Sequence, residues 1–266
     1  MKGRLMFASV LCLDINKNSK PLLMSNTVVT LPSASLVHAG RIVGGCEAVP
    51  HSRPYMVFLE RIMEDGKTKY CGGFLLSEDF MMTAAHCQAE KYTAWVGVHD
   101  TSTRDSDKSV QKTSIKEAFP HQNFNSSNYI NDIMILKFSS KVKINQVVET
   151  ISLADQDAGS LPSSCSVSGW GVTSWNNQYI TNILKEVNVT VINDDVNNCS
   201  KMKFYCSKDK TGPGQGDSGG PLVCDGKAYG VVSTLFKKPY SNEIPLALYT
   251  MIPEYKEWIN SVINEA

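Results

Sequence analysis

Three short segments, far apart along a chain of 266 residues, must meet in space for the chemistry they offer to be used. That requirement constrains the fold more than any other feature. Gly216-Asp217-Ser218-Gly219-Gly220-Pro221 is a sharp turn that leaves one serine exposed beside one aspartate. Glycine tolerates positive φ and close backbone approach, which a loop needs if its N–H groups are to point at a substrate oxygen. Thr83-Ala84-Ala85-His86-Cys87 sets a histidine between small residues, and Asn131-Asp132-Ile133-Met134-Ile135-Leu136 sets an aspartate at the head of an apolar, strand-like run. Each segment alone has a plain structural reading: a turn, a histidine beside a cysteine, a buried strand with a polar start. Taken together, the order His86, Asp132, Ser218 is one of the chain orders known for a Ser-His-Asp triad.

A serine hydroxyl is a weak nucleophile at neutral pH and needs a base within hydrogen-bond reach. A histidine with a pKa near about 6.5 can take that proton and return it to a leaving amine. A buried carboxylate on the other ring nitrogen fixes the tautomer and stabilises the transient imidazolium. These requirements assign Ser218 as nucleophile, His86 as general acid/base and Asp132 as the group that orients it. The N–H groups of Gly216 and Ser218 are then the candidate oxyanion hole. The run from Gly216 to Gly220 also matches the Gly-x-Ser-x-Gly elbow of lipases and esterases, but the triad order is wrong for that fold.

From Ile42 to its C-terminus the chain resembles the trypsin/chymotrypsin-like serine proteases. The resemblance rests on Ile42-Val43-Gly44-Gly45, Cys71-Gly72-Gly73, the His86 segment, Asp132-Ile133, Ser168-Gly169-Trp170-Gly171 and the serine turn. Pro50-His51-Ser52-Arg53-Pro54-Tyr55-Met56 further resembles the granzyme and mast-cell-protease branch, whose members are secreted or stored in granules. The resemblance implies an all-β fold of two six-stranded antiparallel barrels, at roughly 42–152 and 153–266, with the triad at their interface. Short Val, Ile and Thr runs broken by Gly, Asn, Ser and Pro agree with a mostly β chain. Pro253 to Ala266 is the clearest helix, with Tyr255, Trp258, Ile259, Val262 and Ile263 on one face. Length and a 42% hydrophobic composition allow one large core or two smaller ones.

Eight cysteines point to an oxidising compartment. By resemblance, Cys71 pairs with Cys87, Cys165 with Cys224, and Cys199 with Cys206. Cys12 lies in the segment expected to be removed. Cys46 has no evident partner, so a buried unpaired thiol in a monomer is expected ahead of a Cys46-linked dimer. A further bridge of many family members is missing, because Gly214 stands where its first cysteine would be. The cysteine spacings do not suit a metal, and no cofactor is implied. Residues 1–41 hold five of the 26 basic groups and one of the 26 acidic ones. The rest keeps 21 basic and 25 acidic groups, a formal charge of −4 that predicts weak binding to sulfated polyanions and none to nucleic acid.

Residues 1–41 read as a signal or propeptide region. Met1 to Leu13 has basic residues and then a short apolar run, whereas Val37-His38-Ala39 looks like a signal cleavage site just before Gly40-Arg41. No segment is long enough to be a transmembrane helix. The resemblance implies that cleavage after Arg41 frees the Ile42 α-amino group, which pairs with Asp217 and orders the oxyanion hole. It also implies an activating protease, protein or peptide substrates and serpin-type inhibitors. At the expected pocket base stands Gly212-Pro213-Gly214, with no aspartate to select Lys or Arg. Ser233, Thr234, Leu235 and Ala247 complete the expected pocket, and Leu235 replaces a usual glycine. Two readings remain: cleavage after apolar residues, or a pocket closed by Leu235 in a protein that acts by binding. Of the tripeptides at Asn125, Asn188 and Asn198, Asn125 is the expected glycosylation acceptor.

Overall fold

Alternating and continuous apolar runs close into barrels here because every strand needs two hydrogen-bonded neighbours, and closure leaves no exposed edge. The structure is a computed structural model describing residues 42–155, 164–172, 180–192, 198–236 and 243–266. In the first barrel, β2 (Met56–Ile62), β3 (Thr68–Leu75), β4 (Phe80–Thr83), β7 (Met134–Phe138), β6 (Gln111–Pro120) and β5 (Lys91–Val96) pair in that order and return to β2. In the second, β9 (Lys185–Ile192), β10 (Phe204–Ser207), β13 (Leu246–Met251), β12 (Lys227–Phe236), β11 (Pro221–Cys224) and β8 (Ser164–Gly169) follow one another, and β8 closes the ring onto β9. The short β1 (Cys46–Glu47) adds to β9. All named pairings are antiparallel, as the resemblance implies.

The strands nearest the barrel contact are apolar on both faces. Met56-Val57-Phe58-Leu59 and Phe80-Met81-Met82-Thr83 are buried throughout, so neither shows a period of two. The largest buried cluster spans both barrels: Trp170, Val223 and Val231 of the second pack with Phe58, Phe74 and Met82 of the first. Trp170 sits edge-on to Phe58 with ring centroids 5.4 Å apart, and its indole N–H donates to the His99 carbonyl at 3.2 Å. Arg53, in the segment that suggested a particular branch of the family, pairs with buried Glu186 of β9 at 2.7 Å and ties the entry to β2 onto the second barrel.

The C-terminal helix is shorter than the apolar pattern predicts. Ile252–Tyr255 form a 3₁₀ turn, and α1 (Lys256–Glu265) follows. Pro253 explains the tighter start, since it fits a first turn and has no N–H to donate. Tyr255 and Ile259 are buried, and Trp258, Val262 and Ile263 pack against the same cluster.

Cys71–Cys87, Cys165–Cys224 and Cys199–Cys206 are disulfides, as the resemblance implies. Cys46 departs from expectation: it is disulfide-bonded. The sequence hid this because no family pairing supplies a partner for that position. The expectations for the leader, for Arg41 and for Cys12 also fall outside the described residues. Among the described residues no helix is long and apolar enough to cross a membrane.

Because Trp170 is buried from both sides, Trp170→Ala should cost about 3–5 kcal/mol of stability. The denaturation midpoint in urea or guanidinium reads that loss directly.

Candidate active site

Small residues make room for His86. Ala84, Ala85 and Cys87 are buried around a 3₁₀ turn (Ala85–Cys87) that directly follows β4, and the Cys71–Cys87 disulfide fastens that turn to β3. The turn presents the imidazole half-exposed, with the Tyr129 ring packed edge-on at 5.6 Å. Sulfur atoms of Cys71 and Cys87 lie near the ring, but their disulfide removes the thiolates a metal would need.

Asp132 stands just before β7 and has no solvent-exposed surface. Its Oδ1 accepts the His86 backbone N–H at 2.8 Å, and its Oδ2 lies 2.7 Å from His86 Nδ1. An ionised carboxylate can only accept, so Nδ1 is the ring nitrogen that donates to Asp132, and the His86 ring lines the cleft. A third donor comes from the other barrel: the Ser233 hydroxyl reaches Oδ2 at 2.5 Å. The Thr250 hydroxyl, on β13, donates to the Asp132 carbonyl at 2.9 Å. Next to it, Asn131 adopts a φ of 60° and accepts from the Tyr255 hydroxyl at 3.0 Å.

A bulge explains how Ser233 gets there. Val232 pairs with Tyr249 and Leu235 with Ala247, so Ser233 and Thr234 together face the single residue Leu248. Such an insertion re-aims side chains locally. It sends Ser233 to Asp132 and leaves Thr234 and Leu235 on the cleft wall.

Ser218 lies on a turn clamped between the barrels. Its carbonyl accepts from Gly72 of β3 at 2.7 Å, Gly219 N–H donates to Val232 at 2.8 Å, and Val232 N–H donates to Gly220 at 2.8 Å. Gly216 has a φ of +98°, which a side chain would resist. Among the described residues, the N–H groups of Gly216 and Ser218 donate to no other backbone carbonyl, whereas that of Asp217 between them donates to Gly214. His86, Gly216 and Ser218 line one cleft of about 700 Å³.

Asp217 points the other way, into the protein, and is fully buried. Gly171 N–H donates to Oδ1 at 2.7 Å and Gly214 N–H to Oδ2 at 2.8 Å. The carboxylate occupies the space that side chains would take at Gly169 and Gly171, where an added Cβ would come within 2.1 Å and 2.6 Å of its atoms. That is why the Ser168-Gly169-Trp170-Gly171 motif needs its glycines. Burial pushes the Asp217 carboxyl up to about 7 despite the two N–H donors, and no cation pairs with it among the described residues. Ile42 is completely buried in the second barrel's own cluster, and Val43 bridges to Gly212.

The remaining expected pocket residues divide. Ser233, Thr234 and Leu235 line the cleft with Pro213, Gly214 and Val232. Gly212 stands behind them at the Val43 bridge, and Ala247 is buried beside Leu235's strand in the second cluster. An added Cβ at Gly214 would come within 2.8 Å of Val172, so the backbone is closely packed there. Thr250, Tyr129 and Arg61 also stand at this site, and Ser233, expected at the pocket, bonds Asp132 as well. No local signal marks these residues, because each acts through a contact distant in sequence.

A raised carboxyl pKa makes stability depend on pH. The buried Asp217 holds its proton up to about 7, whereas in the unfolded chain it would lose it near about 3.9. Its protonated form therefore supports the fold fully below pH about 4, and that support is lost as pH rises through about 7. The uncleaved chain should lose stability over this interval relative to Asp217→Asn, as denaturation midpoints measured across the range will show.

A family model described as Trypsin matches residues 42–259. Granzyme E of Mus musculus is 36% identical over 234 residues, covering 84% of this chain and 91% of that protein. Granzyme B of Homo sapiens is 34% identical, covering 92% and 99%, and chymase of Rattus norvegicus is 33% identical, covering 87% and 94%. A solved structure described as "Structure of GrC" superposes with a TM-score of 0.76 at 32% identity, covering 84% of this chain and all of that one.

Proposed function

Because the chain belongs to the trypsin family of serine proteases, with granzymes and a chymase among its relatives, we propose that it is a serine endopeptidase activated by cleavage after Arg41. The observation that carries this reading is the geometry of His86: Asp132 holds both its backbone and its ring, and the residue lines a cleft shared with Ser218.

In this reading Ser218 Oγ attacks the scissile carbonyl as His86 Nε2 takes its proton. Asp132, held by Ser233, stabilises the resulting imidazolium. The N–H groups of Gly216 and Ser218 receive the negative charge on the carbonyl oxygen, and losing one such donor costs roughly 3–4 kcal/mol in comparable sites. His86 then delivers the proton to the departing amine, and water repeats the sequence on the acyl-enzyme.

Asp217 supports the activation step. A fully buried carboxyl with two N–H donors and no cation is an open half of an ion pair. The α-ammonium of Ile42, once freed, is the partner that would hold it ionised and fix the Gly214–Ser218 turn. An activating protease and serpin-type inhibitors belong to the same reading, as do secretion or granule storage and a glycan on exposed Asn125.

The cleft wall supports an apolar preference. Val172, Ile180, Pro213, Val232 and Leu235 line it, and no Asp or Glu does among the described residues. A lysine or arginine side chain would find no counter-charge there. One methylene of fit is worth about 1–3 kcal/mol in such a pocket, so preference should be graded.

The full chain, cleaved after Arg41, should cut a library of peptides after Leu, Met, Val or Phe, and Ser218→Ala should cut none. A silent cleaved protein with a free Ile42 terminus would instead favour the binding role. Asp217→Asn should remain folded by circular dichroism yet lose roughly a hundredfold in kcat/KM, the scale of an impaired oxyanion hole.

A further inference from the structure

Asp132 hangs from a residue in an uncommon conformation. Asn131, immediately before it, has a φ of 60°, a left-handed backbone that is costly for most side chains and least so for Asn and Asp. A closed circuit of contacts through the β6–β7 connection holds it there. The Tyr255 hydroxyl, from the turn before α1, donates to Asn131 Oδ1 at 3.0 Å, and Asn131 Nδ2 donates to the Asn123 carbonyl at 2.7 Å. Asn123 N–H donates to His121 Nδ1 at 3.2 Å. The His121 ring packs edge-on against Tyr255 with centroids 5.3 Å apart, which completes the circuit, and Trp258 of α1 backs the same ring at 5.2 Å. Both ends of the connection are tied as well: His121 N–H donates to the Ile133 carbonyl at 3.0 Å, and Ile133 N–H to that of Asn131 at 2.9 Å. Burial and the Lys203 ammonium lower the His121 pKa below its ordinary value, and the nearby Glu254 is engaged with Lys203 at 3.5 Å. The ring is therefore neutral at neutral pH, with Nδ1 free to accept. Burial pushes the Tyr255 hydroxyl up to about 12, so it remains a donor.

We propose that Tyr255 and His121 are positioning residues for the Asp132–His86 pair, acting by holding Asn131 in its left-handed conformation; this rests on the reading of Asp132 as the orienting acid of a peptidase. Neither residue lines the cleft, so neither touches substrate. His86 and Ser233 fix the carboxylate oxygens of Asp132, and the Thr250 hydroxyl holds its carbonyl. The circuit fixes the peptide from which that side chain hangs. Were Asn131 to relax toward a right-handed backbone, the peptide plane before Asp132 would turn. The carboxylate would then lose its alignment with the two N–H groups of His86. The C-terminal segment thus does more than cover the core: through Tyr255 it sets the geometry of a group at the contact between the barrels.

Tyr255→Phe deletes one hydroxyl and keeps the ring. In the full chain cleaved after Arg41 it should lower kcat about tenfold with KM little changed, since the lost bond aligns the catalytic groups and holds no substrate. A misaligned carboxylate stabilises the imidazolium less, so the His86 pKa should fall and the acid limb of kcat/KM should move to lower pH. His121→Ala should act in the same direction. His121→Asn, whose Oδ1 can accept the same N–H two residues on, should recover most of the kcat that His121→Ala loses. Trp258→Leu is the control: it loosens the packing without touching a hydrogen bond of the circuit, so it should lower the denaturation midpoint and leave the acid limb in place. An unchanged kcat in Tyr255→Phe, a loss confined to KM, or an acid limb that moves as far in Trp258→Leu would overturn the proposal. Proton NMR of cleaved Ser218→Ala protein follows the His86 Nδ1–H across pH and needs no turnover. A His86 titration displaced there by Tyr255→Phe, with no cleavage by the wild type, would sink the peptidase reading and leave the positioning role standing.

Discussion

The Asp132 carboxylate is the junction on which the rest of this structure depends. It is completely buried, and a buried charge is tolerated only when every lone pair has a suitable donor. Its donors come from both halves of the molecule. His86 supplies its backbone and ring N–H groups from the first barrel, and Ser233 supplies a hydroxyl from a bulge in the second. The Thr250 bond to the Asp132 carbonyl adds a further strand of the second barrel. The same set of bonds therefore aligns the proposed base and fixes one barrel against the other. Removing any one donor would disturb both.

Asp217 is the contrasting case. It is buried as deeply, but two backbone N–H groups are its only donors among the described residues, and its carboxyl is pushed up to about 7. The turn that carries Ser218 is built around this under-compensated group, with glycines at 169 and 171 cleared to admit it. Arg61 repeats the pattern with the opposite sign at the other end of the cleft. One of these charges lies behind the serine turn and the other beside the histidine.

Much of this was legible in the residues. The glycine-rich turn, the small residues around His86 and the polar head of β7 are written locally, because each is demanded by what one side chain must do. The helix face from Tyr255 to Ile263 was also visible as a period, although Pro253 shortens the α-helical part. Three features were not. Cys46 is bridged where no partner was evident. Ser233 was expected to serve the pocket, and its hydroxyl turns to Asp132 because of a bulge that no composition announces. Arg61 lies in the strand Met56–Ile62, and only the fold of the hairpin brings it to the cleft.

Which chemical groups the protein carries, and in what order, is set locally, since the proposed nucleophile, base and orienting acid each need a particular residue in a particular setting. Which charges are buried, and which of them are answered, follows from the packing of the two barrels. Burial and pairing are properties of contacts between distant strands: Ser233 meets Asp132 across 101 positions, and Gly171 meets Asp217 across 46. No local pattern encodes such a distance. It arises only when two closed barrels are pressed together and every polar group caught between them must find a partner.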